Sequence, residues 1–511
     1  MKFIFTLPDM LKQSASVFPE RQAVIEGARS ITYNDLEKKS NALAHYLISQ
    51  GIKKGDRVGI SLDKSIEAII SLWGVTKMGG IFIFIHPRLT SHLVSYRIET
   101  CKIKCLITSD DKKGELVANE EIFTVDSNEF ESIFSSYPHE GTKDVSLVDI
   151  DLATIIFTSG STGLPKGVVH DHRSLISWTK SIVTYLRNTE HDRILCILPF
   201  VSSYGLSQLL TSTLSGATAV LQKSMFPNDI CQALHKERIT GLAGVPTVWG
   251  QLLQRYSPFK TLQFPTLRYI TNAGGALSPH YLDQLRSTLK DTKIYLMYGQ
   301  TETLRSTYLP PEELERKRIC LGKAIPNVEV LVINKDGNEC APGEEGELVH
   351  RSTMMFRGYW NDPEKTSSIL KPIPSRSSES RDSSLAAWTG DIVKKDEEGF
   401  LYFIGRNDEL MKCFGYRISP QEIEDILYKI DQINEVVVFG QKDEIADQKI
   451  KAVVSFKKET TALSEKEIFD FCKKELPDYM WPQSIVIIDE LPKTATGKID
   501  RARIKKDYGN T

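Results

Sequence analysis

Strands that alternate with helices through roughly the first 300 residues predict an α/β protein. Two later changes of texture refine that class. Short strands with turn signals from about residue 320 to 404 predict a small β subdomain, and a compact stretch of about 100 residues beyond Gly405 mixes helices and strands as an independent unit would. The expected architecture is a large N-terminal domain, 1–405, of mostly parallel αβ subdomains plus a small β subdomain, followed by a small α+β C-terminal domain, 406–511.

The elements follow in order. Residues 35–50 carry apolar positions at helical spacing and stop at Gly51, so they predict a helix. Arg57–Leu62 reads as a strand, 66–78 as a helix and Ile81–Ile85 as a buried strand. The stretch 66–85 is the most apolar in the chain. Glu67, Lys77 and the Gly79-Gly80 break make a helix followed by a strand a better reading than a membrane span. The same alternation resumes from 153 to about 300. In the β subdomain the turn signals are Asn334-Lys-Asp-Gly337 and Ala341-Pro-Gly343. Lys371–Ser384, rich in Ser, Pro and charge, predicts an exposed loop insertion. The turn-forming Gly405-Arg-Asn-Asp408 marks the domain boundary. After it come a helix over Pro420–Ile430, strands over Val436–Phe439 and Ile450–Phe456, a helix over Ser464–Lys474 and a strand over Ser484–Ile488. No internal repeat is found.

Composition removes several classes of function. The chain has 511 residues, 41% hydrophobic and 25% charged, as expected of a globular protein of about three units. Its 64 Lys+Arg against 66 Asp+Glu give a net charge of −2, so no bulk field draws it to nucleic acid or an anionic membrane. Eight cysteines are scattered without a CxxC pair, which predicts ordinary thiols in a reducing compartment. The N-terminal apolar run breaks at Pro8 and Asp9, too early for a signal-peptide core, and the expected location is cytoplasmic. His170-Asp-His172 resembles a metal pair in outline, but an Asp171 helix cap with incidental histidines is the better reading. The basic tail from Lys498 to Lys506 lacks interleaved aromatics and predicts a domain-ending helix, not a nucleic-acid site.

The chemistry-bearing stretch is Thr158-Ser-Gly-Ser-Thr-Gly-Leu-Pro-Lys-Gly167, directly after the strand-like Ala153–Phe157. Its glycines let backbone approach a ligand closely, and its hydroxyls with Lys166 supply donors for a polyphosphate. It is not the P-loop pattern, because Lys166 lies between Pro165 and Gly167. With Ala273-Gly-Gly-Ala276, Tyr298-Gly-Gln-Thr-Glu302, Gly358–Pro363, Thr389-Gly-Asp391, Gly405-Arg406, Gly415-Tyr-Arg-Ile418 and Pro492–Lys498, it resembles, in order and over essentially the whole chain, the adenylate-forming enzymes: acyl-CoA synthetases, peptide-synthetase adenylation domains and luciferases.

That resemblance implies roles. Thr158, Ser159, Gly160, Ser161, Thr162, Gly163 and Lys166 would grip the β- and γ-phosphates of ATP. Gly274, Gly275 and Ala276 would pass close to the adenine, with Tyr298 stacked on it and Gly299 and Gln300 beside it. Thr301 would bond the α-phosphate, and Glu302 would help hold Mg²⁺. Asp391 would engage the ribose, and Arg406 the same ribose or the phosphate. Lys498 would bridge the α-phosphate and the substrate carboxylate. Asp408 falls at the hinge of a mobile C-terminal domain, and Gly415 would leave room for pantetheine in the thioester step.

The acyl site is expected around Val201, Ser202, Tyr204, Gly244 and Val245. Amino-acid-activating members carry an aspartate where Val201 stands, so an ammonium would find no partner and an α-amino acid is disfavoured. Many acyl-CoA synthetases have a histidine where Ser202 stands, and no histidine-dependent role carries over. Gly241–Thr247 would form one pocket wall, and its small apolar residues favour an aliphatic acyl chain. The implied activity is AMP-forming acyl-CoA ligation of a non-amino carboxylic acid, using ATP, Mg²⁺ and CoA. The alternatives are transfer to the phosphopantetheine of a separate acyl carrier protein and, from another class, a non-catalytic nucleotide-binding protein.

Overall fold

The computed structural model describes residues 3–109, 123–142, 145–158, 165–374, 385–407, 411–413, 416–443, 447–458, 460–494 and 497–509. Among these residues the strands form four sheets. A seven-stranded sheet has the order Gly358–Tyr359, Lys166–Asp171, Leu152–Thr158, Ile81–Phe84, Arg57–Ser61, Cys105–Thr108, Phe123–Asp126. Its strands run parallel except at the first two junctions, where Lys166–Asp171 folds back on Leu152–Thr158 and receives Gly358–Tyr359. A nine-stranded sheet has a parallel centre of Lys293–Tyr298, Tyr269–Asn272, Gly241–Gly244, Arg193–Cys196, Thr218–Leu221 and Gln22–Glu26, with antiparallel strands at both margins.

Parallel strands buried on both faces need helices to cover them. The helices Leu7–Val17, Tyr33–Ser49, Ile66–Lys77, His172–Leu186 and Ser203–Ser215 share one hydrophobic cluster with strands of both large sheets. The apolar stretch at 66–85 resolves as expected into a helix and the strand Ile81–Phe84. The helix spans 12 residues, is capped by Ser65 accepting from the Ala68 amide, and is buried on nearly every side. No described helix is long and apolar enough to cross a membrane.

The β subdomain pairs Glu329–Ile333, Glu345–Arg351, Leu385–Lys395 and Leu370–Pro372 in that order, with Leu401–Arg406 pairing farther along Leu385–Lys395. The insertion expected over Lys371–Ser384 begins inside this sheet, and 375–384 lie outside the described residues. The smaller C-terminal domain has its own hydrophobic cluster and a sheet centred on Ile433–Asp443 and Asp447–Phe456. Its helices Pro420–Leu427 and Glu465–Glu475 and the strand Ser484–Ile487 lie within a residue or three of expectation. The basic tail forms the helix Arg501–Tyr508, as expected. Cys101, Cys105, Cys196, Cys231, Cys320, Cys340 and Cys472 are free and buried.

Candidate active site

Three neighbouring parallel strands of the nine-stranded sheet end together. Gly244 stands opposite Asn272, and Asn272 opposite Leu296. The loops leaving these carboxyl ends carry Val245, Gly274–Ala276 and Gly299–Arg305. In open α/β sheets, successive loops at this edge converge on a ligand. Two glycines are required by geometry. Gly274 has φ +79°, a left-handed conformation in which a side chain is strained. A side-chain carbon on Gly299 would lie 2.7 Å from Cα of Arg305 and 3.0 Å from the Leu304 carbonyl oxygen, because the chain doubles back there.

Lys498 enters this space from the C-terminal domain. A side-chain carbon at Gly274 would lie 3.0 Å from its Cε and 3.3 Å from its Nζ. Val245, Gly274, Gly275, Ala276 and Lys498 line a cleft of about 400 Å³ between the two domains. At its edge the Thr247 hydroxyl donates to the Gly497 carbonyl at 3.1 Å. Desolvation by the cleft walls, and then the nearby Arg305 cation, lower the pKa of Lys498 below its usual value, although the residue keeps solvent access along its length.

A second cluster ties the nine-stranded sheet to the β subdomain. The Tyr298 hydroxyl donates to Asp391, and Gln300 Nε2 donates to the same carboxylate and to the Thr389 carbonyl, each at 2.9 Å. Asp391 and Arg406 are cross-strand partners, with an ion pair at 3.3 Å. Burial, then the Asp391 charge, push the Tyr298 phenol well above the usual tyrosine value. Tyr298 is therefore held by its hydroxyl, with its ring plane fixed. Asp391, expected to receive ribose hydroxyls, already has partners, so a ribose would have to share or displace them.

Lys166 and Glu302 meet at a residue that sequence reasoning did not place in the site. Tyr359 donates its hydroxyl to Glu302 Oε1 at 2.7 Å, and Lys166 Nζ lies 5.9 Å from the centre of its ring. The pairing of Gly358–Tyr359 with Val168 and Val169 brings it there. The only signal was its place in a family stretch. His170 is a second omission. Its Nε2–H donates to the Thr301 carbonyl at 2.9 Å and so fixes the turn that carries Thr301 and Glu302. Burial lowers its pKa to about 4, so the ring is neutral near pH 7. Asp171 caps the helix His172–Leu186 by accepting from the Ser174 amide at 2.8 Å, in keeping with the cap reading. Among the described residues no group of three or more His, Cys, Asp or Glu could hold a metal. Glu302 alone suits Mg²⁺, which takes one or two carboxylates and completes its shell with phosphate and water oxygens.

On the acyl side the expected residues separate. Ser202 caps the helix Ser203–Ser215, accepting from the Gly205 amide and donating to the Pro199 carbonyl, both at 3.0 Å. Neither it nor Val201 lines the cleft or the buried cavity described next. Gly244 ends its strand against the Trp249 ring, and Val245 faces the cleft. Tyr204 bonds the Thr271 hydroxyl at 2.6 Å and carbonyl at 2.8 Å and lines a buried cavity of about 20 Å³ with Ala243, Thr271, Met297 and Arg305. The expected Ser159, Gly160, Ser161, Thr162, Gly163, Asp408 and Gly415 lie outside the described residues.

The chain matches the family model "AMP-binding enzyme" over residues 11–360 and "AMP-binding enzyme C-terminal domain" over residues 422–498. It is 30% identical over 97% of its length to bacitracin synthase 3 of Bacillus licheniformis, of which it spans 8%. It is 28% identical to a long-chain-fatty-acid–CoA ligase of Bacillus subtilis (strain 168), covering 98% of this chain and 94% of that one. Among solved structures, the AMP complex of the O-succinylbenzoate coenzyme A synthetase of Bacillus subtilis superposes with TM-score 0.85 at 26% identity, over 98% of each chain. The fold is also that of the ATP-bound MatB of Rhodopseudomonas palustris, with TM-score 0.89, 23% identity and coverage of 98% and 99%. Both family models occur in chain order and the first covers more than half of the chain, so the chain belongs to the AMP-binding enzymes, the adenylate-forming superfamily.

Proposed function

We propose that this protein is an AMP-forming acyl-CoA ligase for a non-amino, aliphatic carboxylic acid. The observation that carries the reading is the Lys498 ammonium lying against the Gly274 loop across the interdomain cleft. A carboxylate is a poor electrophile. Its oxygen attacks the α-phosphorus of ATP, the bond to the β-phosphate oxygen breaks, and pyrophosphate leaves with the electron pair. Two anions must be brought together for this, and a cation held between them offsets the repulsion and the charge that builds in the transition state. Lys498 is the group in position to do so. Lys166 would neutralise the outer phosphates, Asp391 and Arg406 would hold the ribose, and Glu302 would help hold Mg²⁺, which supplies further charge neutralisation when bound. The thiol of CoA would then attack the acyl carbon and release AMP.

The second half-reaction calls for a different arrangement of the C-terminal domain, hinged near Asp408. Support for it comes from how lightly the cleft is bridged. The hydrogen bonds across it among the described residues include Thr247 to Gly497, a long 3.5 Å bond from Tyr281 to Asn434, and one of 3.5 Å from Lys457 to His280.

A second reading, transfer to a separate carrier protein, is favoured by the 30% identity to bacitracin synthase 3. Pyrophosphate release should be measured over a panel of carboxylic acids, then consumption of the adenylate with CoA or with a phosphopantetheinyl carrier protein. Turnover to a CoA thioester is the expected result. An adenylate that CoA leaves intact and a carrier protein drains would replace the first reading by the second. No pyrophosphate with any acid would leave the non-catalytic alternative.

A further inference from the structure

A cation stands where an apolar acyl pocket would be expected. Arg305 is only 3% exposed, and it lines a small buried cavity together with Tyr204, Ala243, Thr271 and Met297. Among the described residues its side chain makes no ion pair, and its Nε is buried without a hydrogen-bond partner. Its one close interaction is with the ring of Tyr204, 5.1 Å from the guanidinium carbon. A ring face attracts the charge but accepts no N–H bond in the plane of the fork. A buried guanidinium in that state lacks the anion that would offset its desolvation. The backbone fixes it there: Leu304 adopts a left-handed φ of +57°, unusual for a branched residue, and the chain closes tightly on Gly299.

Position adds a second constraint. Arg305 is near enough to Lys498 to lower its pKa, so the small cavity and the interdomain cleft hold cations that act on one another. The cavity beside Arg305 is about 20 Å³, the room of about one water, which admits a small polar group and not a long hydrocarbon tail. We infer that the acid activated by this enzyme is a short aliphatic acid with a second carboxylate, and that Arg305 is the specificity-determining residue that receives this distal group while Lys498 serves the reacting one. A guanidinium fork matches a carboxylate with two parallel N–H bonds, and Nε is one of the two donors that such a pair uses.

This inference rests on the acid-activating function proposed above, and the test separates the two. Pyrophosphate release is followed with succinate and glutarate and with their monomethyl esters, which keep the carbon chain and the reacting carboxylate but remove the distal charge. The wild-type enzyme should prefer each diacid over its half ester in kcat/KM by at least about tenfold. Arg305→Met should bring that ratio to near one or invert it, and Arg305→Lys should retain part of it. Half esters or simple monocarboxylic acids used as well as the diacids by the wild-type enzyme would overturn the assignment, as would an unchanged ratio in Arg305→Met. The wild-type ratio decides even if the methionine variant does not fold. Absence of pyrophosphate with every acid tried would sink the activation chemistry itself, whereas release at equal rates for acid and half ester would sink only the role of Arg305.

Discussion

The Lys498 side chain lies against the Gly274 loop and, among the described residues, makes no hydrogen bond or ion pair that would hold the fold together. Its replacement by alanine should therefore slow pyrophosphate release by at least about 100-fold while leaving much of the thioester step from preformed acyl-adenylate. Separate assays of the two half-reactions check this, and equal loss of both would contradict the assigned role. Its lowered pKa has a definite sign. The ammonium is the working form, present below the pKa and lost as pH rises through it. The alkaline limb of the adenylation pH profile should thus fall below the usual lysine value of 10.5, and Lys498→Arg should move that limb upward. Removing the Tyr359 hydroxyl with Tyr359→Phe frees Glu302 from its 2.7 Å donor, and the apparent Mg²⁺ requirement of pyrophosphate release should shift severalfold with little change in fold. The motif residues could be read from the chain because they fall in short stretches that resemble a known family in content and order. What Tyr359, His170 and Arg305 do could not be read that way. Each acts on a partner far away in sequence, and an arginine three residues beyond Glu302 looks from composition alone like any surface charge.

At the scale of elements, close approach and capping set the sensitive positions. A methyl at Gly299 would meet backbone atoms, which cannot move aside as a flexible side chain can. Gly299→Ala should destabilise the turn by about 1–3 kcal/mol and depress adenylation together with the melting temperature. Ser464 heads the helix Glu465–Glu475 with a full capping box to Glu467, is exposed and does not line the cleft. Ser464→Ala should cost about 1 kcal/mol in denaturant unfolding of the C-terminal domain and leave ATP-dependent pyrophosphate release nearly unchanged. The helix and strand cores were legible because hydrophobic period and turn residues agreed, as at 66–85. The hairpin of Ile433–Asp443 and Asp447–Phe456 runs well past its expected ends at Phe439 and Ile450. Gln441 pairs with Lys449 and Lys442 with Gln448, so its outer part is made of polar residues whose pairing leaves no hydrophobic mark on the sequence.

Across the whole molecule, three buried histidines set the acid limit. Burial lowers the pKa of His170 and His172 to about 4 and that of His350 to about 3, against 6.5 in an exposed ring. The unfolded chain takes up these protons first, so the stability they contribute is whole above about pH 6.5 and drains away as pH falls toward 4. The melting temperature should drop steadily between pH 7 and pH 5, and a flat profile there would contradict neutral burial. The two large sheets were foreseeable as alternating βα units. That a lysine of the smaller domain would reach the Gly274 loop was expected only from the family resemblance, since no local pattern encodes which lobes face each other. The proximity of Arg305 to Lys498 reaches further than either residue. Arg305 and Lys498 are like charges that act on one another, so holding both in place carries a cost, and an anion bound near them would offset it.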